Sequence, residues 1–216
     1  GFYATLKHAK LPMAKLIQPA IDLAEQGFAI TEKEANLLNN QMQYFNEHNK
    51  IQTVFQKKNK WKQGDILIQK DLAETLKLIQ KNGAKGFYEG KTAELIVAEM
   101  KHGNGIITLN DLKNYKVAER KPIVFDYKGN EIVSMPLPSS GGILLAQMLK
   151  MAGYENLEKY QQNSTEAVQI MVEAERRAFA DRAEFMGDPD FITDKTSMLI
   201  SDEYLRNRWK SFKKNL

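Results

Sequence analysis

Apolar residues recur at helical spacing through most of this chain, and the pattern breaks once into strand-like alternation. Leu11, Ala14, Ile17, Ile21 and Ala24 fall on one helical face, with Pro19 expected to divide the stretch and Gly27 to end it. Thr31 and Glu34 are spaced as a capping box, which opens a helix running to about Phe45. Residues 46–69 have poor periodicity and read as a surface excursion, with a turn at Gly64-Asp65 and Trp61 as its packing anchor. From Asp71, the positions Leu72, Leu76 and Ile79 give an amphipathic helix stopped by Gly83, and Leu95, Ile96 and Met100 give another stopped by Gly103. A short strand is expected at Ile106-Ile107, followed by a small capped turn over residues 108–111.

The period changes over residues 122–135. Residues 123–127 and 131–135 are β-rich runs joined by Lys128-Gly129-Asn130, which is a hairpin signal. The second run delivers the chain into Pro136-Leu137-Pro138-Ser139-Ser140-Gly141-Gly142. Prolines stiffen that approach, while the hydroxyls and glycines after them suit a helix N-cap, an anion site or the close approach of another backbone. Ser140 is expected to cap a helix beginning near Ile143 and closing at Gly153, with backbone approach as the reason for Gly141 and Gly142. The longest helix is expected from about Thr165 to Met186, ended by Gly187-Asp188-Pro189. On it Val168, Val172 and Phe179 lie near one line, with Ala167, Met171, Ala174 and Ala178 beside it. The reading is an α+β chain, helix-rich with a β-hairpin. Internal repeats and Pro/Ser-rich linkers are absent, so residues 1–216 read as a single region with no internal boundary.

Composition narrows the chemistry. A formal charge of +4 and a hydrophobic fraction of 43% describe a globular protein and do not imply nucleic acid. The densest basic run, residues 57–62, leads straight into Gly64-Asp65 and reads as a solvated loop. Cysteine is absent, which excludes disulfides and thiolate chemistry within these residues. His8, His48 and His102 are scattered without zinc-ligand spacing, and Asp188-Pro189-Asp190 lacks the further oxygens that a Ca²⁺ site needs. Glu173 and Glu175 face different directions on a helix, and the charges from Glu175 through Arg176 to Arg182 read as helix-surface and subunit-contact charges, not an acid/base pair. Asp181-Arg182 is the exception, expected to pin the long helix to a neighbour through a bidentate contact.

Residues 131–142, followed by an aliphatic helix, resemble the large subunit of the gamma-glutamyltranspeptidases, or glutathione hydrolases. Residues 11–28, 69–76, 83–90, 105–112 and 173–191 resemble other segments of that family in the same order. The resemblance implies part of the four-layer αββα fold of the N-terminal-nucleophile hydrolases, and a fragment of the large subunit of a self-cleaving precursor. It places the threonine nucleophile beyond the segment matching Leu216 and the substrate's carboxylate-binding arginine before the segment matching Gly1. A basic helical tail is expected from Trp209 to Leu216. No catalytic or substrate-binding residue is therefore assigned in this chain, and Ser139, Ser140, Gly141, Gly142, Asp181 and Arg182 are read as structural family-motif residues. The implied partners are a small catalytic subunit from the same precursor and glutathione or other γ-glutamyl compounds, with no cofactor, no nucleic acid and no membrane span. Bacterial relatives imply a periplasmic or secreted location. Glutaryl-cephalosporin acylases and polyglutamate-processing enzymes share such segments, and a noncatalytic helical interaction module is the reading from a different class.

Overall fold

The computed structural model describes residues 7–49 and 51–213. It falls into two compact units, Gly1–Val117 and Ala118–Leu216, although no Pro/Ser-rich linker marks the division.

In the first unit, α1 (Met13–Gln26) runs unbroken through Pro19. Proline cannot donate to the carbonyl one turn back, at a cost of about 3 kcal/mol in a helix interior. Burial of Ile17, Ile21 and Ala24 against α3 (Lys70–Asn82) outweighs that loss, so the expected division does not occur. Gln80 Nε2 ties the pair by donating to Ala14 O at 2.9 Å and Gln18 Oε1 at 2.8 Å. α2 (Glu32–His48) opens on the expected capping box: Glu34 N–H donates to Thr31 Oγ1 at 3.2 Å, and Thr31 N–H donates to Glu34 Oε2 at 2.7 Å.

The excursion after α2 is anchored by Trp61, buried with Ile30, Ala35 and Leu67. Its indole donates to Phe55 O at 2.8 Å, and Asn39 clamps its backbone from both sides. The excursion also contributes a strand that the pattern was too short to signal: β1 (Phe28–Ala29) pairs antiparallel with β2 (Ile66–Leu67). Two short helices, α4 (Lys85–Tyr88) and α5 (Gly90–His102), follow α3. Their buried faces use small residues. Ala73 on α3 and Thr92, Ala93 and Val97 on α5 are inside, while Leu72 and Leu95 are exposed, so those large side chains do not mark the inner stripe. Ile106-Ile107 forms no strand and Ile106 is 91% exposed. The capped turn after it holds and opens α6 (Leu109–Asn114), with Thr108 and Asp111 capping each other.

In the second unit, β3 (Ile123–Tyr127) and β4 (Asn130–Ser134) form the expected hairpin, with Val124 opposite Val133 and Phe125 opposite Ile132. The turn is tighter than the pattern suggested. Lys128 and Gly129 take positive φ of 52° and 77°, the two-residue turn whose twist matches the strands. Ile123 and Phe125 face inward onto α7 (Gly141–Gly153), leaving Val124 and Val133 exposed. A short 3₁₀ turn, Leu157–Lys159, leads to α8 (Thr165–Phe185), which packs on α7 through Ile170, Ala174 and Ala178. Val168, Val172 and Phe179 lie on its outer, exposed side. α9 (Thr196–Leu199) and α10 (Asp202–Trp209) complete the unit, burying Leu199, Leu205 and Trp209. The expected basic helical tail ends early: α10 stops at Trp209, and residues 214–216 lie outside the described residues. No helix among the described residues is long and apolar enough to cross a membrane.

Gly86 marks the tightest packing in the first unit, because a Cβ there would stand 2.2 Å from Leu78 O. Gly86→Ala is expected to lower stability by about 1–3 kcal/mol in urea unfolding of the chain, as overpacking does. Gly103→Ala, whose Cβ would meet nothing nearer than Glu99 O at 3.6 Å, is expected to change it by less than about 1 kcal/mol. Equal losses at the two positions would refute the close-approach reading.

Candidate functional site

The motif residues converge around the N-terminus of α7. Strand β4 ends at Ser134, and the chain turns through Pro136 and the cis Leu137-Pro138 bond into Ser139. Ser139 N–H donates to Pro136 O at 3.1 Å, closing the turn, and Ser139 Oγ accepts weakly from Gly141 N–H at 3.4 Å. Ser140 does not cap α7. Its backbone is already helical, at φ −74° and ψ −15°, whereas a capping side chain requires an extended residue. Its Oγ instead accepts from Arg182 Nε of α8 at 3.0 Å, so the two halves of the motif, far apart in sequence, meet directly.

Gly142 serves the role assigned to the glycines. It is buried, and a Cβ on it would stand 2.3 Å from Met135 O and 3.1 Å from Ile123 Cδ1. The end of β4 and the first turn of α7 thus pack backbone to backbone. Gly141 is less constrained, since its nearest would-be neighbour is Ser139 Oγ at 3.5 Å.

Asp181 is the most heavily used polar side chain here. It is 2% exposed. Its Oδ2 accepts from Gln147 Nε2 of α7 at 2.9 Å, and its Oδ1 accepts from Tyr204 Oη at 3.0 Å and pairs with Arg208 Nη2 at 2.7 Å, both on α10. Gln147 Nε2 also donates to Leu199 O at 3.1 Å, at the end of α9. Burial, and then donation to Asp181, pushes the Tyr204 hydroxyl up to about 12.

One turn earlier on α8, Arg177 is also buried, which corrects the reading of this run as surface charge. It pairs with Glu173, whose carboxyl is held below its ordinary value by Arg176 and by Arg177 itself. Arg177 Nε donates to Arg208 O at 3.2 Å, and Nη2 donates to Ser211 Oγ at 2.9 Å. Gln147, Arg177, Tyr204 and Arg208 were not singled out by sequence. Two signals were present: Gln147 interrupts the aliphatic run of α7, and Arg177 and Asp181 share the α8 face of Ala174 and Ala178.

This arrangement fastens elements together and holds no hydroxyl ready for attack. The partner of Ser140 Oγ is a permanently charged donor, not a base that could take its proton. The carboxylates of Asp188 and Asp190 face Arg120, at 3.6 Å and 2.9 Å. Among the described residues no group of three or more His, Asp or Glu side chains could hold a metal ion.

A family model described as Gamma-glutamyltranspeptidase matches residues 2–215. The chain is 40% identical over 210 residues to the glutathione hydrolase proenzyme of Escherichia coli K12, covering 96% of this chain and 36% of that protein. It is 38% identical over 207 residues to the glutathione hydrolase proenzyme of Pseudomonas aeruginosa, covering 94% and 36%. The chain thus spans about a third of the length of these relatives. The crystal structure of Helicobacter pylori gamma-glutamyltranspeptidase superposes with a TM-score of 0.91 at 39% identity, over 98% of this chain and 61% of that one.

Two outcomes test the geometry. Gly142→Val is expected to cost at least about 2 kcal/mol in urea unfolding, since backbone must move to admit the side chain. Ser140→Ala removes one exposed hydrogen bond and is expected to cost about 0.5–1 kcal/mol; a loss as large as that of Gly142→Val would refute the reading of Ser140 as a single exposed contact. The second outcome concerns pH. Tyr204's contribution to stability is fully present below the ordinary tyrosine value of about 10 and is lost as pH rises toward about 12. Melting temperatures across that window should fall less steeply for Tyr204→Phe than for the unsubstituted chain.

Proposed function

The chain belongs to the gamma-glutamyltranspeptidase family and carries part of its N-terminal-nucleophile hydrolase fold, and we propose that it is the scaffold portion of a self-cleaving enzyme that acts on γ-glutamyl amides. The family match across residues 2–215 is the observation that carries this reading. The site geometry supports it, because the motif residues fasten helices and turns to one another.

In the proposed enzyme the nucleophile is a threonine on a small catalytic subunit released from the same precursor. A threonine hydroxyl is weakly nucleophilic at neutral pH, and the N-terminal amine freed by chain cleavage serves as its base. Attack on the γ-glutamyl carbonyl of glutathione or a similar compound expels the amine and leaves a γ-glutamyl ester. Water resolves that ester by hydrolysis, or the amine of an amino acid or peptide resolves it by transfer. Side-chain and terminal amine chemistry suffice for every step. The exposed apolar faces of α8 (Val168, Val172, Phe179) and of the hairpin (Val124, Val133) are surfaces that further parts of such a precursor would cover. A periplasmic or secreted location belongs to the same proposal, from the family's bacterial members.

The complete precursor is expected to divide into two fragments on a denaturing gel and then to release p-nitroaniline from γ-glutamyl-p-nitroanilide, faster when an amino acid acceptor is added. The purified 216-residue polypeptide is expected to release none. Turnover by that polypeptide, retained after repurification, would overturn the assignment of the nucleophile to another part of the protein.

A further inference from the structure

We propose that the basic excursion of the first unit is a docking surface for an anionic lipid bilayer, with Lys58, Lys60 and Lys62 on the headgroups and Ile51 and Val54 at the boundary with the acyl chains. Residues 51–62 carry Lys57, Lys58, Lys60 and Lys62 and no carboxylate. Lys57 is used internally: it pairs with Asp65 and lies 4.2 Å from the centre of the Trp61 ring. Lys58, Lys60 and Lys62 are exposed and form no ion pair among the described residues, whereas Lys77, Lys128 and Lys150 each find a carboxylate. Ile51 is 73% exposed and Val54 44%. One short stretch thus presents uncompensated cations and aliphatic side chains to water together.

The stretch is held in shape by its own contacts. Trp61 is fastened through Phe55 O and Asn39, and Phe55 stacks on Phe45 with ring centres 6.0 Å apart. Thr53 N–H donates to Gln56 Oε1 at 2.8 Å, and Gln56 Nε2 donates to Asn46 Oδ1 at 2.8 Å. Ordering is therefore complete before any partner arrives, which removes one of the usual costs of binding. The same anchoring decides between occupants. A single-stranded nucleic acid needs the indole among the lysines as a stacking platform, and Trp61 is turned inward at 7% exposure. The exposed apolar groups of the stretch are aliphatic instead, and a bilayer surface takes both kinds of group. Its negative potential favours each nearby ammonium by about fivefold in binding constant. Ile51 and Val54 leave water at the headgroup boundary, which supplies the second signal that stable attachment to a membrane surface requires.

The test floats the complete protein with vesicles of phosphatidylglycerol and phosphatidylcholine, or of phosphatidylcholine alone, at low salt and at about 1 M salt, where the screening length falls to about 3 Å. Binding is expected on the anionic vesicles at low salt, and is expected to disappear at high salt or without phosphatidylglycerol. Replacing Lys58, Lys60 and Lys62 together by Gln should weaken it by on the order of 100-fold, at about fivefold per charge. Ile51→Ser combined with Val54→Ser keeps every charge and should weaken it by at least about tenfold, through the partial transfer of two aliphatic side chains. Lys91, Lys101 and Lys113, also exposed in this unit, serve as the control: their joint replacement by Gln should change binding by less than about threefold. Every substituted position is exposed, so all three variants are expected to keep the melting temperature to within about 4 °C. Absence of binding to anionic vesicles at low salt overturns the proposal. An equal loss in the control variant also overturns it, because net charge alone then accounts for the attachment. Undiminished binding by the Ile51→Ser, Val54→Ser variant overturns it as well, since that marks a surface for polyanions in general and not for a bilayer.

Discussion

The second unit depends on one buried carboxylate. Asp181 sits where α7, α8 and α10 meet, and each of its oxygens is committed to partners on another helix. A carboxylate out of water is costly unless its hydrogen bonds are made, and removing one partner leaves the others to bear the desolvation. The helices around it are therefore held in one relative arrangement, because sliding any of them strands a charge. Apolar packing of Ala174, Ala178, Leu205 and Trp209 supplies most of the adhesion but little of this selectivity, since the hydrophobic effect is non-directional.

Much of the fold was legible in the pattern. Capping boxes at Thr31 and Thr108, the hairpin turn near Gly129 and the helix stops at Gly27, Gly83 and Gly103 are local features, and local physics suffices to place them. Trp61 as the anchor of the excursion was legible for the same reason, since a lone indole in a polar loop gains most by being buried. What failed were inferences that depended on distant neighbours. Pro19 breaks a helix only when nothing else holds it, and α3 does hold it. Leu72 and Leu95 look like core positions by hydropathy, yet closely packed helices put Ala73 and Ala93 inside instead.

At the candidate site the same division holds. Gly142 was legible as a close approach because a glycine pair at a strand-to-helix junction clears the space that a neighbouring backbone needs. Ser140 misled, since a serine before a helix fits a cap by sequence, and the helical backbone angle that rules this out has no signal in the local pattern. The contact with Arg182 spans 42 positions and leaves no trace in local pattern. The sequence brought Asp181 and Arg182 forward as a pin for the long helix; it did not indicate that Gln147, Tyr204 and Arg208 are the groups Asp181 answers to.

The absent side chain at position 142 has a consequence for how this unit can vary and move. With Met135 O where a Cβ would be, β4 and α7 meet at a vertex that has no adjustable filler between its two arms. Elsewhere a rotamer change or a swapped methyl can absorb a shift of half an ångström; here nothing can, so hairpin and helix transmit displacement to each other undiminished. The compliant joint is at the opposite end, where Lys128 and Gly129 carry the chain around with positive φ, and a Cβ on Gly129 would meet nothing within 4 Å. Insertions and bending belong at that tip, while the hinge at Gly142 behaves as a weld.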